Sequence, residues 1–185
     1  MNILLKVCLC CVVWLAWSPL AKAQRAAAAT AAVVSDPCGD AAKESSFWGS
    51  IDGKVIRVED GDTFIISVKG RGVGRVHLIG IDAPELGQPF GAAAHRLLER
   101  LVSGKTVEVW VPVSLSMGRL PAVTTGVVHL RSLGMLDANL LMIQAGLARY
   151  KESEPYSMSN HTECHYGKAE EDARNARRGL WQPPD

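Results

Sequence analysis

The sequence predicts an α+β protein in which a five-stranded OB-type β-barrel carries three helices. Five short runs rich in β-branched residues are separated by turns that contain Gly, Asp and Ser. Three other segments place their apolar residues on one helical face. The first helix follows the third strand and the other two follow the fifth, an order that fits a small Greek-key barrel. Periodicity alone also allows another small α+β arrangement.

The first three strands precede the first helix. Residues 55–58 and 63–68 are β-branched runs joined by an Asp60-Gly61 turn, which predicts a hairpin. A Gly-rich turn at residues 69–74 leads to a third strand at residues 75–81.

The helices and the last two strands follow from periodicity and stop signals. A helix opens at Pro89 and Gly91 and ends at Ser103-Gly104. Strands are predicted at residues 106–113 and 123–130, with a loop at 114–122 between them. A second helix covers residues 136–145, and a final helix has apolar residues at regular spacing from Tyr166 to Leu180.

The amino-terminal segment is typical of a signal peptide. Lys6 precedes an apolar run at residues 7–17, and Ala21-Lys22-Ala23 offers a cleavage site. The run is too short for a spanning helix, which needs about 20 residues. We expect a signal peptide at 1–23, an Ala-rich linker at 24–46, one domain at 47–185, and a secreted or periplasmic protein. An uncleaved membrane anchor is the alternative.

The charge balance excludes a protein that grips nucleic acid by bulk positive charge. Loss of residues 1–23 removes Lys6 and Lys22, which lowers Lys plus Arg from 20 to 18 against 19 Asp plus Glu. Nonspecific affinity for nucleic acid comes from many neutralised phosphates. Any such contact must therefore be local.

Cysteine usage agrees with export. Three of the five cysteines lie within residues 1–23, which leaves Cys38 and Cys164 as an even pair in an oxidising compartment. A disulfide between them is our hypothesis. His161-x-x-Cys164-His165 is open to interpretation as a metal cluster, although it lacks a fourth ligand at tetrahedral-site spacing.

Three carboxylates lie at the ends of strand-like runs. Asp62 belongs to the segment 59–63, while Asp82 and Glu85 belong to the segment 78–85. Clustered carboxylates repel one another and are costly to desolvate, so a fold that brings them together needs a cation or a proton. The pattern indicates a metal site.

These segments resemble the staphylococcal nuclease-like (thermonuclease) family. Residues 60–63 read Asp-Gly-Asp-Thr, and residues 78–85 read Leu-Ile-Gly-Ile-Asp-Ala-Pro-Glu. Residues 137–148 are similar to the family's second helix and residues 169–181 to its closing helix. The turn alone is an ordinary sequence, but ordered blocks from about residue 51 to residue 181 are specific. The resemblance implies the same OB-type barrel.

The resemblance also implies a calcium site and a general base. Asp62, Asp82 and the backbone carbonyl of Ala83 match the family's metal ligands, and calcium takes about six to eight hard oxygen ligands. Glu85 matches the base that activates water. The alternative interpretation is that both aspartates serve ordinary turns and that Glu85 is a surface residue.

The two arginines that the family uses to stabilise phosphoryl charge are altered. His77 stands five residues before Asp82, where the family has arginine, and Arg75 on the same face of a regular strand is a possible substitute. For the second arginine, Arg119 follows a Met-Gly pair in place of Tyr-Gly. A count back from the fifth strand instead puts Val123 at that position.

The family also stacks a nucleotide base on tyrosine. Tyr156 lies in a polar loop and is the candidate, since Tyr150 and Tyr166 are open to core or helix-face roles. The sequence thus predicts an exported, monomeric, calcium-dependent nuclease acting on DNA and/or RNA, without stable membrane association after cleavage. The alternative is a catalytically weakened OB-fold module that binds nucleic acid. A purely structural role leaves the carboxylates unexplained.

Overall fold

The computed structural model describes residues 36–39, 48–152 and 158–183. The strands within these ranges are β1 (Trp48–Val58), β2 (Thr63–Val68), β3 (Gly72–Leu78), β4 (Ile81–Asp82), β5 (Thr106–Pro112), β6 (Val123–Leu130), β7 (Leu136–Asp137) and β8 (Arg149–Tyr150). The α-helices are α1 (Gly91–Val102), α2 (Val113–Ser116), α3 (Ala138–Gln144) and α4 (Asn160–Asn175).

Five of the strands close into a barrel. They lie in the order β3-β2-β1-β5-β6, and β3 also pairs with β6, so the first and last strands of this order are joined. The β3–β6 pairing is parallel, whereas the other pairings in the barrel are antiparallel. Strand β7 pairs antiparallel with the end of β6, and β4 pairs separately with β8. This arrangement confirms the predicted α+β class with an OB-type barrel.

Alternate side chains along a strand point into the barrel interior and are buried there. In β1, Ile51 and Val55 are buried while their neighbours are exposed. The register with β2 shifts between Val55 and Arg57, and such an irregularity increases the local twist of a strand. Below this hairpin, the core is formed by buried apolar side chains from the barrel and from α1, including Phe64, Ile66, Val76, Leu78, Leu98 and Val109.

Two strands differ from their predicted bounds. Strand β1 begins at Trp48, where the sequence already changes to a strand pattern, and it therefore includes residues before the β-branched run at 55–58. Strand β3 ends at Leu78, and β4 follows as a separate element. The reason is Gly80, whose φ of 75° turns the chain between them. The first residues of the predicted loop at 114–122 belong to the one-turn helix α2.

The last helix is displaced towards the amino terminus relative to its prediction. It begins at Asn160 because the Ser159 hydroxyl accepts a hydrogen bond from the Thr162 N–H at 3.1 Å, an ordinary N-cap. It ends at Asn175, and Arg177 then adopts a left-handed φ of 50°. Leu180 belongs to a separate 3₁₀ turn.

Asn139 fixes helix α3 to the seam where β3 meets β6. Its buried side-chain amide donates to the Ile79 carbonyl at 2.8 Å, and its carbonyl oxygen accepts from the Val128 N–H at 3.0 Å. A second, longer bond from the amide reaches the Gly126 carbonyl at 3.3 Å. Since buried backbone groups are costly to leave unpaired, this one side chain stabilises both sides of the seam.

Cys38 and Cys164 form a disulfide with a Cα–Cα distance of 5.7 Å, which ties Cys38 to helix α4. The expected signal peptide, all of the expected linker other than residues 36–39, and Tyr156 lie outside the described residues. Within the described ranges, every helix is too short or too polar to cross a bilayer.

Candidate active site

The turn between β1 and β2 is closed by its own polar groups. The Asp60 carboxylate accepts a hydrogen bond from the Asp62 N–H at 3.0 Å, and the Glu59 N–H donates to the Thr63 carbonyl at 2.9 Å. Gly61 sits against helix α1, where an added Cβ would lie 2.6 Å from the Cβ of Ala94. Only glycine allows this close approach of the turn to the helix.

Asp62 is the buried anchor of the site, with 7% of its surface exposed. One carboxylate oxygen accepts the Ala83 N–H at 3.0 Å, and the other accepts the Thr63 hydroxyl at 2.8 Å. Its backbone carbonyl accepts the Leu78 N–H at 2.9 Å. The carboxylate of the first turn is thereby joined directly to the loop that follows β4.

That loop carries the other two carboxylates to the surface. Asp82 ends β4 and Glu85 follows three residues later, and both are exposed. The Glu85 N–H donates to the Gln88 side chain at 3.2 Å, and the Gln88 N–H donates back to the Glu85 carbonyl at 2.8 Å. A Cβ at Gly91 would overlap the Glu85 carbonyl oxygen, so glycine is required where the loop meets α1. The loop is therefore held in one shape.

His77 lies beside Asp62 on the barrel wall. In the β2–β3 ladder it is opposite Thr63, and its Nδ1 is 3.2 Å from both an Asp62 carboxylate oxygen and the Thr63 hydroxyl. The hydrogen bond with Asp62 raises the pKa of His77, and the charges of Asp60 and Asp82 add to the rise against the opposing effect of burial. The carboxylates around His77 thus favour its protonated, positively charged form.

The two turn aspartates influence each other's charge. Burial would raise the pKa of Asp62, but hydrogen bonds from His77 and from the Ala83 N–H lower it overall. Burial raises the pKa of Asp60, and the neighbouring Asp62 charge raises it further. The turn therefore concentrates negative charge that a cation would stabilise.

Arg75 lies two residues before His77 and is exposed, as is typical of alternate positions in a strand. Its guanidinium binds the Glu59 carboxylate at 2.5 Å, and Glu59 also binds Arg57 at 2.7 Å. The hydrogen bond from Arg75 lowers the pKa of Glu59. Arg75 thus lies near the site but is paired with a carboxylate.

Arg119 lies in the loop between α2 and β6. Its neighbour Leu120 donates its N–H to the carbonyl of Arg71, in the turn between β2 and β3. The Arg71 guanidinium also donates to the carbonyls of Ser116 and Gly118 at 2.8 and 2.5 Å, which fixes this loop on the turn. The chain then runs along β3, where the Ala122 carbonyl accepts the Arg75 N–H at 2.9 Å.

The parallel pairing of β3 with β6 identifies a residue that the sequence reasoning missed. Thr125 is opposite His77, and Val123 is opposite Arg75. Thr125 is half-buried and Val123 is 54% exposed. Strand β6, which flanks His77, therefore offers a hydroxyl and an apolar side chain. The sequence signal that could have located Thr125 is its place directly before Gly126, near the start of the last barrel strand.

Arg149 was also missed. Strand β8 places it opposite Asp82 in the β4–β8 ladder, and its guanidinium lies 4.8 Å from the centre of the Trp181 ring. Nothing local in the sequence predicts this pairing. Of the other tyrosines, Tyr150 is half-buried and Tyr166 is fully buried, in an edge-to-face contact with ring centres 6.3 Å apart. Both tyrosines serve the core.

The donor set of this region suits a hard cation. Asp62, Asp82 and the Ala83 carbonyl supply oxygen only, which is the ligand type that calcium prefers. Among the described residues, no three carboxylates of this region bring oxygens within 4.8 Å of one another. Asp82 is exposed, so the site is open to solvent on the side of the loop. The residues fit calcium on these grounds.

Comparison with known proteins agrees with the fold and the motifs. The profile of the family described as "Staphylococcal nuclease homologue" matches residues 75–183. The chain belongs to this family.

Three relatives are similar over most of their length. The chain is 33% identical over 177 residues to "Micrococcal nuclease" of Shigella flexneri, covering 91% of this chain and 90% of that protein. It is 34% identical over 135 residues to "Uncharacterized endonuclease" of Escherichia coli O157:H7, covering 73% and 80%. It is 32% identical over 171 residues to "Protein ParB" of Escherichia coli, covering 86% and 84%.

Proposed function

We propose that the protein is a calcium-dependent nuclease that hydrolyses phosphodiester bonds of DNA and/or RNA. The observation that carries this proposal is the hydrogen bond between the buried Asp62 carboxylate and the Ala83 N–H. It joins the turn that holds one metal-type carboxylate to the loop that holds Asp82 and Glu85. The relatives named as nucleases support the substrate class.

Asp62, Asp82 and the Ala83 carbonyl are the residues that would hold the calcium ion. When bound, calcium neutralises phosphate charge and polarises the phosphoryl group. Asp62 is fixed by its bonds to Thr63 and Ala83, whereas Asp82 is exposed. We therefore assign the fixed carboxylate to positioning and the exposed one to completing the site.

Glu85 is the proposed general base. Its carboxylate is exposed at the rim of the rigid loop, where it would take a proton from the water that attacks phosphorus. A positioned base contributes a factor of about 10² to 10⁴ in rate. The oxygen that leaves the phosphorus departs on the opposite side and takes a proton from solvent water, and Glu85 returns its own proton to solvent.

His77 and Arg75 are the proposed source of positive charge for the phosphoryl oxygens. Protonated His77 is favoured by its bond to Asp62. Arg75 would have to exchange its Glu59 partner for phosphate, and an exposed ion pair is too weak to prevent this exchange. The role of Arg119 stays a prediction.

A second candidate is a noncatalytic module that binds nucleic acid on the same barrel face. The observation that favours it is the strand beside His77, where Thr125 and Val123 provide no positive charge. Such a module would keep the carboxylate turn while cleaving slowly.

We also propose that the protein is exported. The Cys38–Cys164 disulfide supports this, since structural disulfides persist in oxidising compartments, and the amino-terminal sequence is typical of a signal peptide.

The experiment compares wild type with Glu85→Gln on single-stranded and duplex DNA and RNA, with calcium or with chelator. A matched control is Glu171→Gln on the exposed side of α4. We expect cleavage by wild type and the control only with calcium, and a rate at least about 10²-fold lower for Glu85→Gln.

Cleavage that is indifferent to both chelator and Glu85→Gln would overturn the proposed mechanism. Binding of labelled oligonucleotide without cleavage by wild type, at any calcium concentration, would favour the noncatalytic module instead.

A further inference from the structure

A pair of histidines on helix α4 lies apart from the carboxylate turn. His161 and His165 are one helical turn apart, and their Nε2 atoms are 3.2 Å from each other. The rings meet edge to face with centres 4.5 Å apart, and both side chains are half-buried. Two nitrogens of the same kind thus converge on one point.

The 3.2 Å separation of the two Nε2 atoms matches the distance between two nitrogens that bind the same metal ion. Zinc binds imidazole nitrogen at about 2.0 to 2.1 Å with tetrahedral angles, which places two such nitrogens about 3.3 Å apart. Nickel and copper also favour imidazole ligands. Imidazole is a poorer match for calcium, which prefers oxygen, so this pair would select a different class of ion from the carboxylate turn.

A cavity of about 270 Å³ adjoins the pair. His129 on β6 lines the same cavity, and its ring lies 4.5 Å from that of Trp110. Its Nδ1 is buried and has no hydrogen-bond partner among the described residues. A buried nitrogen without a partner is costly unless a water or an ion accompanies it.

We propose that His161 and His165 bind a divalent transition metal of the zinc class through their Nε2 atoms, with His129 contacting a water molecule held by the metal. The water is assigned because, within the described residues, the three histidines do not bring all their ligand nitrogens within 4.8 Å of one another. Such a site would connect α4 to the barrel.

The competing explanation is a direct hydrogen bond in which one neutral imidazole donates its Nε2–H to the other. That bond also fits a distance of 3.2 Å. It predicts that metal binds no better than to any exposed histidine, whereas the proposed site predicts two imidazole nitrogens on one ion.

The test is a Cu²⁺ titration of the metal-stripped protein followed by electron paramagnetic resonance, with Zn²⁺ as competitor. Excess calcium is present throughout to occupy the carboxylate region. The protein is kept unreduced, because Cys164 lies between the two histidines and a free thiol would itself bind metal.

We expect wild type to bind one Cu²⁺ with coupling to two nitrogens, and Zn²⁺ to displace it. His161→Gln and His165→Gln should each weaken binding by about tenfold or more, and His129→Gln should weaken it less. His95→Gln on α1 and His77→Gln are the matched controls and should leave this affinity unchanged.

Wild-type spectra that lack two-nitrogen coupling would overturn the proposal whether or not the variants fold. Equal affinity of wild type and His161→Gln would overturn it as well. Nuclease activity is measured separately with calcium alone, so failure of this site and failure of the proposed function are distinguishable.

Discussion

The carboxylate side and the cationic side of the candidate site are built differently. Asp62 is buried and hydrogen-bonded to two neighbouring groups, and the loop with Asp82 and Glu85 is closed by Gln88. On the cationic side, His77 is half-buried and its Nδ1 contacts Asp62 and Thr63, whereas Arg75 is exposed and paired with Glu59.

This difference suggests that positioning of a metal is the more firmly encoded function, and that charge stabilisation limits the rate. A buried, fully bonded carboxylate keeps its geometry without substrate. A guanidinium held by a surface ion pair has to be reoriented by the substrate itself, at a cost in ordering. The following predictions test this comparison, from the largest expected effect to the smallest.

Asp62→Asn should have the largest effect on the catalytic rate, because it alters the carboxylate side of the site. Loss of the buried charge removes a proposed calcium ligand, and we expect kcat/KM to fall by about 10³-fold, equivalent to about 4 kcal/mol. Asp172→Asn on the exposed surface of α4 is the control and should leave the rate unchanged. Chelator should reduce wild type to the level of Asp62→Asn; a variant that remains sensitive to chelator would show that Asp62 is not the principal ligand.

Asn139→Ala should destabilise the seam between β3 and β6. It leaves the Val128 N–H and the Ile79 carbonyl buried without this partner, and we expect a loss of about 3 kcal/mol in the free energy of unfolding. Urea denaturation measures the loss, with exposed Asn175→Ala as the control. A change below about 1 kcal/mol would show that water replaces the amide.

His77→Arg and Thr125→Arg should strengthen the cationic side. Each puts a guanidinium on the barrel wall next to the carboxylates, and we expect kcat/KM to rise by about tenfold, or 1.4 kcal/mol. Thr106→Arg at an exposed position of β5 is the control.

Arg119→Ala should change the rate by less than about twofold, because Arg71 holds its loop on the turn between β2 and β3. A loss of 10²-fold or more would instead show that this loop reaches the substrate.

The smallest effect is a dependence of stability on pH. The pKa of His77 is raised above its ordinary value of 6.5, so its stabilising contribution is complete below pH 6.5 and is lost as the pH rises through the folded-state value. The pKa of Asp62 is lowered from 3.8, so its contribution is present above pH 3.8 and is lost on acidification.

Their pair should therefore stabilise the metal-free protein most between pH 3.8 and 6.5. Because the His77 side chain is 40% exposed, we expect the loss above that range to be less than about 1 kcal/mol. Urea denaturation in chelator at pH 5.5 to 8.5 measures it. His77→Gln should remove this slope, and His95→Gln should retain it; an identical slope in both variants would contradict the assignment.

The features predicted from sequence are those that short segments determine. The hairpin and the Asp60–Thr63 turn are local, since β-branched residues flank an Asp-Gly pair and the turn's own side chain closes it. The fold class followed from the order of strands and helices. The position of Asp62 beside Ala83 was implied by family resemblance, and the hydrogen bond between them supplies its physical reason.

The remaining features depend on pairings between distant segments. Thr125 lies beside His77 only because β6 pairs with β3 in one register, and Arg149 faces Asp82 only because β8 returns to β4. The loop of Arg119 is fixed by Arg71, which no local pattern connects to it. A strand register is set by the whole fold, so counting residues along the chain could not choose between Arg119 and Val123.

The parallel closure of β3 with β6 also has a consequence for folding order. The β1–β2 hairpin and its carboxylate turn join residues that are close in the chain, whereas the pairing of His77 with Thr125 must first close a long loop. We expect the acidic turn to acquire its structure early in folding and the wall opposite His77 to form last. Pulsed amide exchange during refolding should then protect Phe64 before Val127, and the nascent protein would hold its negative charge before it has a completed surface to receive a nucleic acid.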